Sequence, residues 1–168
     1  MMKRSVIIIA CCLFAACHSD PPMIGRPTSA SSDLKEHLIN ANKTIAQSEE
    51  TAINEYIARR NWQMQQLPEG ARVWEYVKGD GKQVGYEDSV SVRYDIEAIN
   101  GKLIYKGIEE TYIAGRRQQM IGLDQAVMQL HHGSRAKVIL PSSLAYGIGG
   151  DGDRIPQSAI LVIDIEIE

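Results

Sequence analysis

The last stretch of the chain, LAYGIGGDGDRIPQSAILVIDIEIE (Leu144–Glu168), runs from a tyrosine through a glycine-rich loop and an Ile-Pro pair into a terminal strand. Apolar residues occupy every second position of that strand: Leu161, Ile163, Ile165 and Ile167. This alternation predicts a strand with one apolar face and one largely polar face. The loop before it contains no set of nucleophile, general base or metal ligands, so any chemistry here must work without them.

The sequence upstream of this stretch has the same two-residue period. Residues 62–81 predict two strands joined at Pro68–Gly70, and residues 90–105 predict two more around Asn100-Gly101, which is a strong hairpin signal. Residues 115–122 predict a loop that leads into one short helix, Leu123–His132. Together these patterns predict an α+β domain over residues 67–168, in which a curved antiparallel sheet wraps around one short helix.

The end of the predicted short helix carries two histidines. Gly133 is in the position of a C-terminal cap, and His131 and His132 precede it. We interpret the histidines as exposed residues that favour the negative end of the helix dipole, and not as metal ligands.

The chain begins with a processing signal. MMKR precedes an apolar run that is too short to span a bilayer, and LFAAC then places small residues just before Cys17. We interpret residues 1–16 as a lipoprotein signal peptide, Cys17 as the lipidated residue and residues 17–32 as a tether rich in proline and serine. Ordinary secretory cleavage, with Cys17 incidental, is the alternative.

Residues 33–66 are predicted to be a helical segment that precedes the sheet. DLKE, from Asp33, resembles a capping box, and Leu34, Leu38, Ile45 and Tyr56 follow at helical spacing. The helix is expected from Leu34 to Arg60, in one piece or two. Its apolar stripe either packs on its own domain, binds a partner, or joins a second copy in a dimer.

Composition excludes several classes of function. The 168 residues are 44% hydrophobic and 23% charged, with a formal net charge of −3, so a globular chain is expected and nucleic acid is not an expected partner. YGIGGDG is not followed by a helix whose N-terminus could bind a phosphate. The spacing of calcium ligands is absent around Asp151 and Asp153, and we interpret this segment as a solvated turn. No cofactor or metal is therefore expected.

HGSRAKVILPSSLAYGIGGDGDRIPQSAILVIDIEIE resembles the C-terminal signature of the FK506-binding-protein type of peptidyl-prolyl cis-trans isomerase, and the resemblance extends over residues 90–168. It implies that the Tyr146 hydroxyl and a backbone N–H near Met120 or Ile121 hold the carbonyls beside a substrate proline. It also implies that Tyr94 and Ile155 line the proline pocket.

The same resemblance reveals departures from the family pattern. Ile104 and Ile163 stand where phenylalanine is usual, Leu123 stands where the pocket floor is usually tryptophan, and Tyr105 replaces an aspartate. Glu110 falls near the position of a third pocket phenylalanine. Ile104, Tyr105, Leu123 and Ile163 are still expected to contribute to substrate binding, but in a more aliphatic pocket that binds proline weakly.

The expected function is therefore prolyl isomerisation in exported proteins, by a lipid-anchored protein of the cell envelope. The signal peptide and the N-terminal helix further resemble the gliding-associated isomerase lipoproteins of Bacteroidetes. The alternative is a non-catalytic, lipid-anchored chaperone or scaffold in a secretion or motility complex, which the missing aromatic residues and the additional helix would favour.

Overall fold

The structure is a computed structural model that describes residues 29–168. The predicted signal peptide, Cys17 and the predicted tether up to residue 28 lie outside the described residues. The chain divides into two units, residues 1–37 and residues 38–168, and the described part of the first unit is the beginning of a helix. Within residues 29–168, no helix combines the length and the apolar composition that crossing a bilayer requires.

Six antiparallel strands form one sheet in the order β1-β2-β5-β6-β3-β4. A long helix precedes the sheet and a short helix lies between its fourth and fifth strands, which confirms the predicted α+β class. Two short 3-10 helices, Ser142–Leu144 and Gly147–Gly149, follow the fifth strand. The elements are α1 (Ser29–Arg60), β1 (Gln65–Gln66), β2 (Arg72–Val77), β3 (Ser89–Ala98), β4 (Leu103–Ile113), α2 (Ile121–Val127), β5 (Arg135–Leu140) and β6 (Leu161–Ile167).

Both predicted hairpins are confirmed. In the first, β1 pairs with β2 across the turn that contains Gly70. In the second, β3 pairs with β4 across Asn100-Gly101, where Gly101 has a φ of +86° that favours glycine. The Asn100 side-chain oxygen accepts a hydrogen bond of 3.0 Å from the Lys102 backbone N–H, which closes the turn.

The main core lies between the inner face of the sheet and α2. Alternate residues of β3 are buried there, and α2 approaches β5 so closely that a Cβ on Gly122 would lie 2.6 Å from a Leu140 methyl group. Only glycine fits at that contact. The fully covered residues of this core include Val90, Ile96, Leu123, Ala126, Val127, Val138, Leu140, Leu161, Ile163 and Ile165.

Helix α1 packs on the opposite face of the same sheet. Ile53 and Tyr56 meet Ile139 and Val162 in a second apolar cluster. This confirms the interpretation in which the helix packs on its own domain. Val162, on the second face of β6, is covered by α1, whereas Asp164 and Glu166 on that face stay partly exposed, as the largely polar pattern predicts.

Two polar contacts hold α1 on its domain, one of them buried and the other partly buried. The Glu49 carboxylate accepts hydrogen bonds from the Ser142 N–H (3.0 Å) and the Ser142 hydroxyl (2.6 Å), and Arg72 pairs with Glu50 at 2.5 Å. The helix is continuous and begins at Ser29, so it extends into the segment predicted as a tether.

Helix α2 is displaced from its predicted position. It begins at Ile121 and ends at Val127, instead of running from Leu123 to His132. After Val127 the chain tightens, because the N–H groups of Gln129 and Leu130 bond to carbonyls three residues earlier, and this turn buries Leu130 in the core. Gly133 is therefore not the helix cap.

The two histidines lie beyond the helix and not in its last turn. The backbone N–H and Nδ1 of His131 both lie within hydrogen-bonding distance of the Glu75 carboxylate, at 3.2 and 3.0 Å. His132 Nδ1 lies 2.9 Å from the backbone oxygen of Glu168. Contacts with β2 and with the end of the chain explain these residues better than the helix dipole does.

Candidate active site

The structure places most of the predicted site residues in the main core. They come from β3, β4, α2, β6 and the loop before β6, and each is at least nine-tenths covered within the main core. Tyr105 packs against the same cluster from β4 and is partly exposed. The buried members are Tyr94, Ile104, Met120, Leu123, Ile155 and Ile163.

Tyr146 directly follows Leu144 and Ala145, which pack against this cluster. Its side chain is 40% exposed, and its hydroxyl makes no hydrogen bond to any of the described residues. Burial, followed by the charges of Asp151 and Glu110, raises the pKa of Tyr146 above its usual value of 10.0. The hydroxyl therefore stays protonated around neutral pH and is available to donate to a carbonyl from another molecule.

The start of α2 adds backbone donors. The N–H groups of Met120 and Ile121 have no acceptor among residues 29–168, as expected for the first residues of a helix. The two side chains differ, because Met120 is buried in the core whereas Ile121 is 40% exposed and lies outside it. The contribution of Ile121 to a substrate contact is therefore its backbone N–H and not a place in the apolar cluster.

Tyr94 is held by an acidic residue. Its hydroxyl donates to Glu110 Oε2 at 3.0 Å, and the ring is almost completely covered. Burial first, and then the charge of Glu110, raise the pKa of Tyr94 well above its usual range. Since this hydroxyl is already bonded, Tyr94 offers the site a ring surface and not a free donor.

Tyr105 fixes the loop that carries Ile155. Its hydroxyl donates to Asp151 Oδ2 at 2.5 Å and lies 3.3 Å from Asp153. Asp151 Oδ1 in turn accepts from the N–H groups of Asp153 (2.9 Å) and Ile155 (2.8 Å). Asp151 and Asp153 lie in a turn at the surface, as the sequence indicated, and the Asp151 carboxylate also organises that turn.

This network shifts two pKa values in opposite directions. The Tyr105 hydrogen bond is the largest cause that lowers the pKa of Asp151 to about 2, and the same bond raises the pKa of Tyr105 to about 12. At neutral pH the carboxylate is ionised and the phenol is protonated, which is the combination that the hydrogen bond needs. Tyr105 therefore positions Ile155, in addition to contacting the cluster.

Sequence reasoning missed Asp124. This aspartate lies in the first turn of α2, is 2% exposed, and accepts hydrogen bonds from the N–H groups of Gly115 (2.9 Å) and Arg117 (3.1 Å). It thereby ties the preceding loop to the helix start where Met120 lies. A polar residue at a predicted core position of a short helix was the signal that could have identified it.

The cluster is closed as it stands. Leu123 and Ile163 have no exposed surface, so a proline ring reaches them only if the side chains that cover them move aside. No group of three His, Cys, Asp or Glu side chains within the described residues could hold a metal ion. The arrangement offers apolar surface and hydrogen-bond donors, which suits a reaction that needs no proton transfer.

The protein resembles known isomerases in sequence. A family model described as FKBP-type peptidyl-prolyl cis-trans isomerase matches residues 81–168. FK506-binding protein 4 of Rhizopus delemar is 29% identical over 104 residues, which cover 60% of this chain and 27% of that protein. FK506-binding protein 2 of Dictyostelium discoideum is 32% identical over 84 residues, which cover 48% of this chain and 63% of that protein.

Solved structures resemble it in fold. A peptidyl-prolyl cis-trans isomerase from Pseudomonas syringae superposes with a TM-score of 0.63 at 24% identity, over 74% of this chain and 92% of that one. FkpA from Escherichia coli gives a TM-score of 0.61 at 20% identity, over 83% of this chain and 67% of FkpA. The family match covers just over half of the residues and contains every predicted residue of the site, so the chain belongs to the FKBP-type peptidyl-prolyl cis-trans isomerase family.

Proposed function

We propose that residues 67–168 catalyse the cis–trans isomerisation of peptide bonds that precede proline. The observation that carries this proposal is the apolar core cluster that contains Tyr94, Leu123 and Ile155, together with the unbonded hydroxyl of Tyr146, whose chain neighbours Leu144 and Ala145 pack against that cluster. Membership of an isomerase family supports it.

The reaction suits such a site because no bond is made and no proton moves. Amide resonance gives rotation about the bond before proline a barrier of about 18–20 kcal/mol, so it takes tens to hundreds of seconds unaided. The twisted amide has less charge separation than the planar one, and an apolar environment therefore favours it. Donors such as the Tyr146 hydroxyl and the Met120 N–H would hold the flanking carbonyls while the bond turns.

We further propose that the activity is lower than that of isomerases with an aromatic pocket. Aromatic contacts contribute about 0.5–1.5 kcal/mol each beyond the area that they bury, and Ile104, Leu123 and Ile163 supply none of them. Each missing ring corresponds to a loss of about two- to twelvefold, since 1.4 kcal/mol is a factor of ten. The closed state of the cluster adds the cost of opening it.

Exchange spectroscopy on a short Ala-Xaa-Pro peptide tests the proposal directly. Catalytic amounts of the purified chain should accelerate interconversion of the cis and trans signals above the rate in buffer. A Tyr146→Phe variant should be slower, whereas Tyr86→Phe, a change to an exposed tyrosine outside the site, should match the wild type. A rate equal to buffer for the wild type would remove the proposed activity.

The site of action that we propose is the cell envelope, with exported proteins as substrates. The support is in the sequence: the apolar run that ends at Cys17 and the proline- and serine-rich residues after it. A lipoprotein of the gliding-associated type would have this organisation. Metabolic labelling with a fatty acid should mark the wild-type chain but not Cys17→Ala, and equal labelling of both would contradict the anchor.

A second candidate function, as a scaffold or chaperone, is favoured by one observation. Leu38 and Ile45 lie seven residues apart on α1 and are 56% and 42% exposed, respectively, whereas Ile53 and Tyr56 further along the same helix are buried. A dimer or a partner helix could cover them. Sedimentation of the wild type and of Leu38→Ser/Ile45→Ser tests this: an unchanged mass and unchanged partner recovery would exclude it.

A further inference from the structure

Strand register places an acidic side chain on the inner, apolar face of the sheet. Glu110 of β4 pairs with Val92, and the neighbouring Glu109 pairs with Arg93. Directly paired residues project to the same face, and Val92 is buried in the main core. Glu110 is therefore on the site side of the sheet, whereas Glu109 is on the other face.

The carboxylate of Glu110 has capacity for a further partner. Oε2 accepts the Tyr94 hydroxyl at 3.0 Å, but no Lys, Arg or His side chain within residues 33–168 forms an ion pair with Glu110. Glu109, in contrast, lies 3.5 Å from Arg93 and is well exposed. Glu110 is only partly covered, so it keeps solvent-accessible surface.

The effect of this charge is spread over the site. After burial, the charge of Glu110 contributes to raising the pKa values of Tyr94 and Tyr146, and it acts in the same direction on Tyr112. Asp151 adds a second negative charge near Tyr146. The nearest basic group on that loop, Arg154, is exposed and already lies 3.7 Å from Asp153.

We propose that Glu110 makes the site selective for proline segments with a lysine or arginine beside the proline. This inference rests on the proposed isomerase function and specifies its substrate class. The long apolar stems of these side chains can lie along the rim while the charged end reaches the carboxylate. A glutamate at the same place in the substrate would be repelled and would leave the Tyr94–Glu110 pair facing a like charge.

A purely structural role for Glu110 has a different signature. If the carboxylate only held the Tyr94 ring, its replacement would lower the rates for all peptides by the same factor. A specificity role instead changes the ratio between peptides of opposite charge. That ratio is therefore the quantity to measure.

The experiment uses the full chain in detergent micelles and exchange spectroscopy on matched peptides. The peptides carry Lys, Leu or Glu immediately before the proline, and a second set carries them immediately after it. In at least one set, kcat/KM should be about three- to tenfold higher for Lys than for Glu at low salt, and the ratio should shrink in 1 M salt because exposed charges are screened. Glu110→Gln should bring the ratio to within about twofold.

Glu109→Gln is the matched control, since it removes the same charge one residue away on the opposite face. It should keep the wild-type ratio. Thermal unfolding of both variants, with midpoints above the assay temperature, ensures that folded proteins are compared. A wild-type ratio near one in both sets, an unchanged ratio in Glu110→Gln, or an equal loss in Glu109→Gln would overturn the inference.

The same measurements distinguish a failure of the isomerase proposal from a failure of the Glu110 proposal. Absence of catalysis on every peptide, including the uncharged Leu peptides, would overturn the proposed isomerase function and this inference with it. Catalysis of the Leu peptides without any preference for charge would overturn the specificity of Glu110 alone.

Discussion

Replacement of Tyr146 by phenylalanine separates catalysis from stability. The hydroxyl that is removed makes no hydrogen bond within the described residues, and the side chain is 40% exposed. Nothing in the folded protein is left unpaired by the change, so the free energy of unfolding should change by no more than about 0.5 kcal/mol. A hydrogen bond to the substrate, in contrast, would be lost.

The expected loss of activity follows from the strength of that hydrogen bond. A bond between uncharged groups contributes about 0.5–1.5 kcal/mol, which corresponds to a fall in kcat/KM of about two- to twelvefold. The pKa of Tyr146 is raised, so the wild-type rate should also be constant with pH through the neutral range and up to about 10. Exchange spectroscopy for the rate and chemical denaturation for the stability measure both quantities.

Tyr94→Phe is the natural comparison, because its hydroxyl donates to Glu110 from a buried position. Hydrogen bonds to charged groups contribute about 1.5–3 kcal/mol, so this variant should lose stability as well as activity. Two results would refute the reasoning about Tyr146: an unchanged kcat/KM, or a loss of stability as large as that of Tyr94→Phe.

Three further predictions concern the contacts that position the site. Tyr105→Phe removes the hydrogen bond that lowers the pKa of Asp151 to about 2. The wild type should therefore be more stable than the variant above pH 4, and the difference should vanish as the pH falls through 2. The free energy of unfolding of both proteins, measured across this pH range, checks this. Asp124→Asn keeps the size of the side chain but places an NH₂ group where one of the two loop N–H groups needs an acceptor oxygen. The free energy of unfolding, measured by urea denaturation, should fall by about 1–3 kcal/mol. An unchanged value would show that other contacts hold the loop. Ser142→Ala removes the buried hydroxyl that donates to Glu49, so the free energy of unfolding should fall by about 1–3 kcal/mol. Under conditions in which the variant is fully folded, kcat/KM should stay constant, and a selective loss of activity would contradict a purely structural role.

Local signals in the sequence were sufficient for the sheet. Asn100-Gly101 specifies a tight turn through the positive φ of Gly101, and the alternation along β3 and β6 identifies the buried face without any tertiary information. The cluster of Tyr94, Leu123 and Ile155 could be expected only through the resemblance to a family, because these residues are far apart in the chain.

What the sequence could not indicate depends on contacts between distant segments. The alternation along β6 places Val162 on the face opposite the main core, where exposure to solvent is expected, but α1 covers it. Helix α2 ends early because Leu130 turns into the core, which helix propensity does not reveal. Asp151 was interpreted only as part of a solvated turn and Glu110 only as a departure from the family pattern, and it is their tyrosine partners in space that give them a role.

The central claim is that a substrate proline reaches the apolar cluster on the inner face of the sheet. Methyl spectroscopy with labelled isoleucine tests it most directly, while a proline peptide is added and its cis–trans exchange is recorded in the same sample. The account predicts that the methyl signals of Ile104, Ile155 and Ile163 shift together as exchange accelerates, and that those of Ile53 and Ile160 in the second cluster do not. Accelerated exchange with unmoved signals of the first three, or shifts confined to the second cluster, would contradict it.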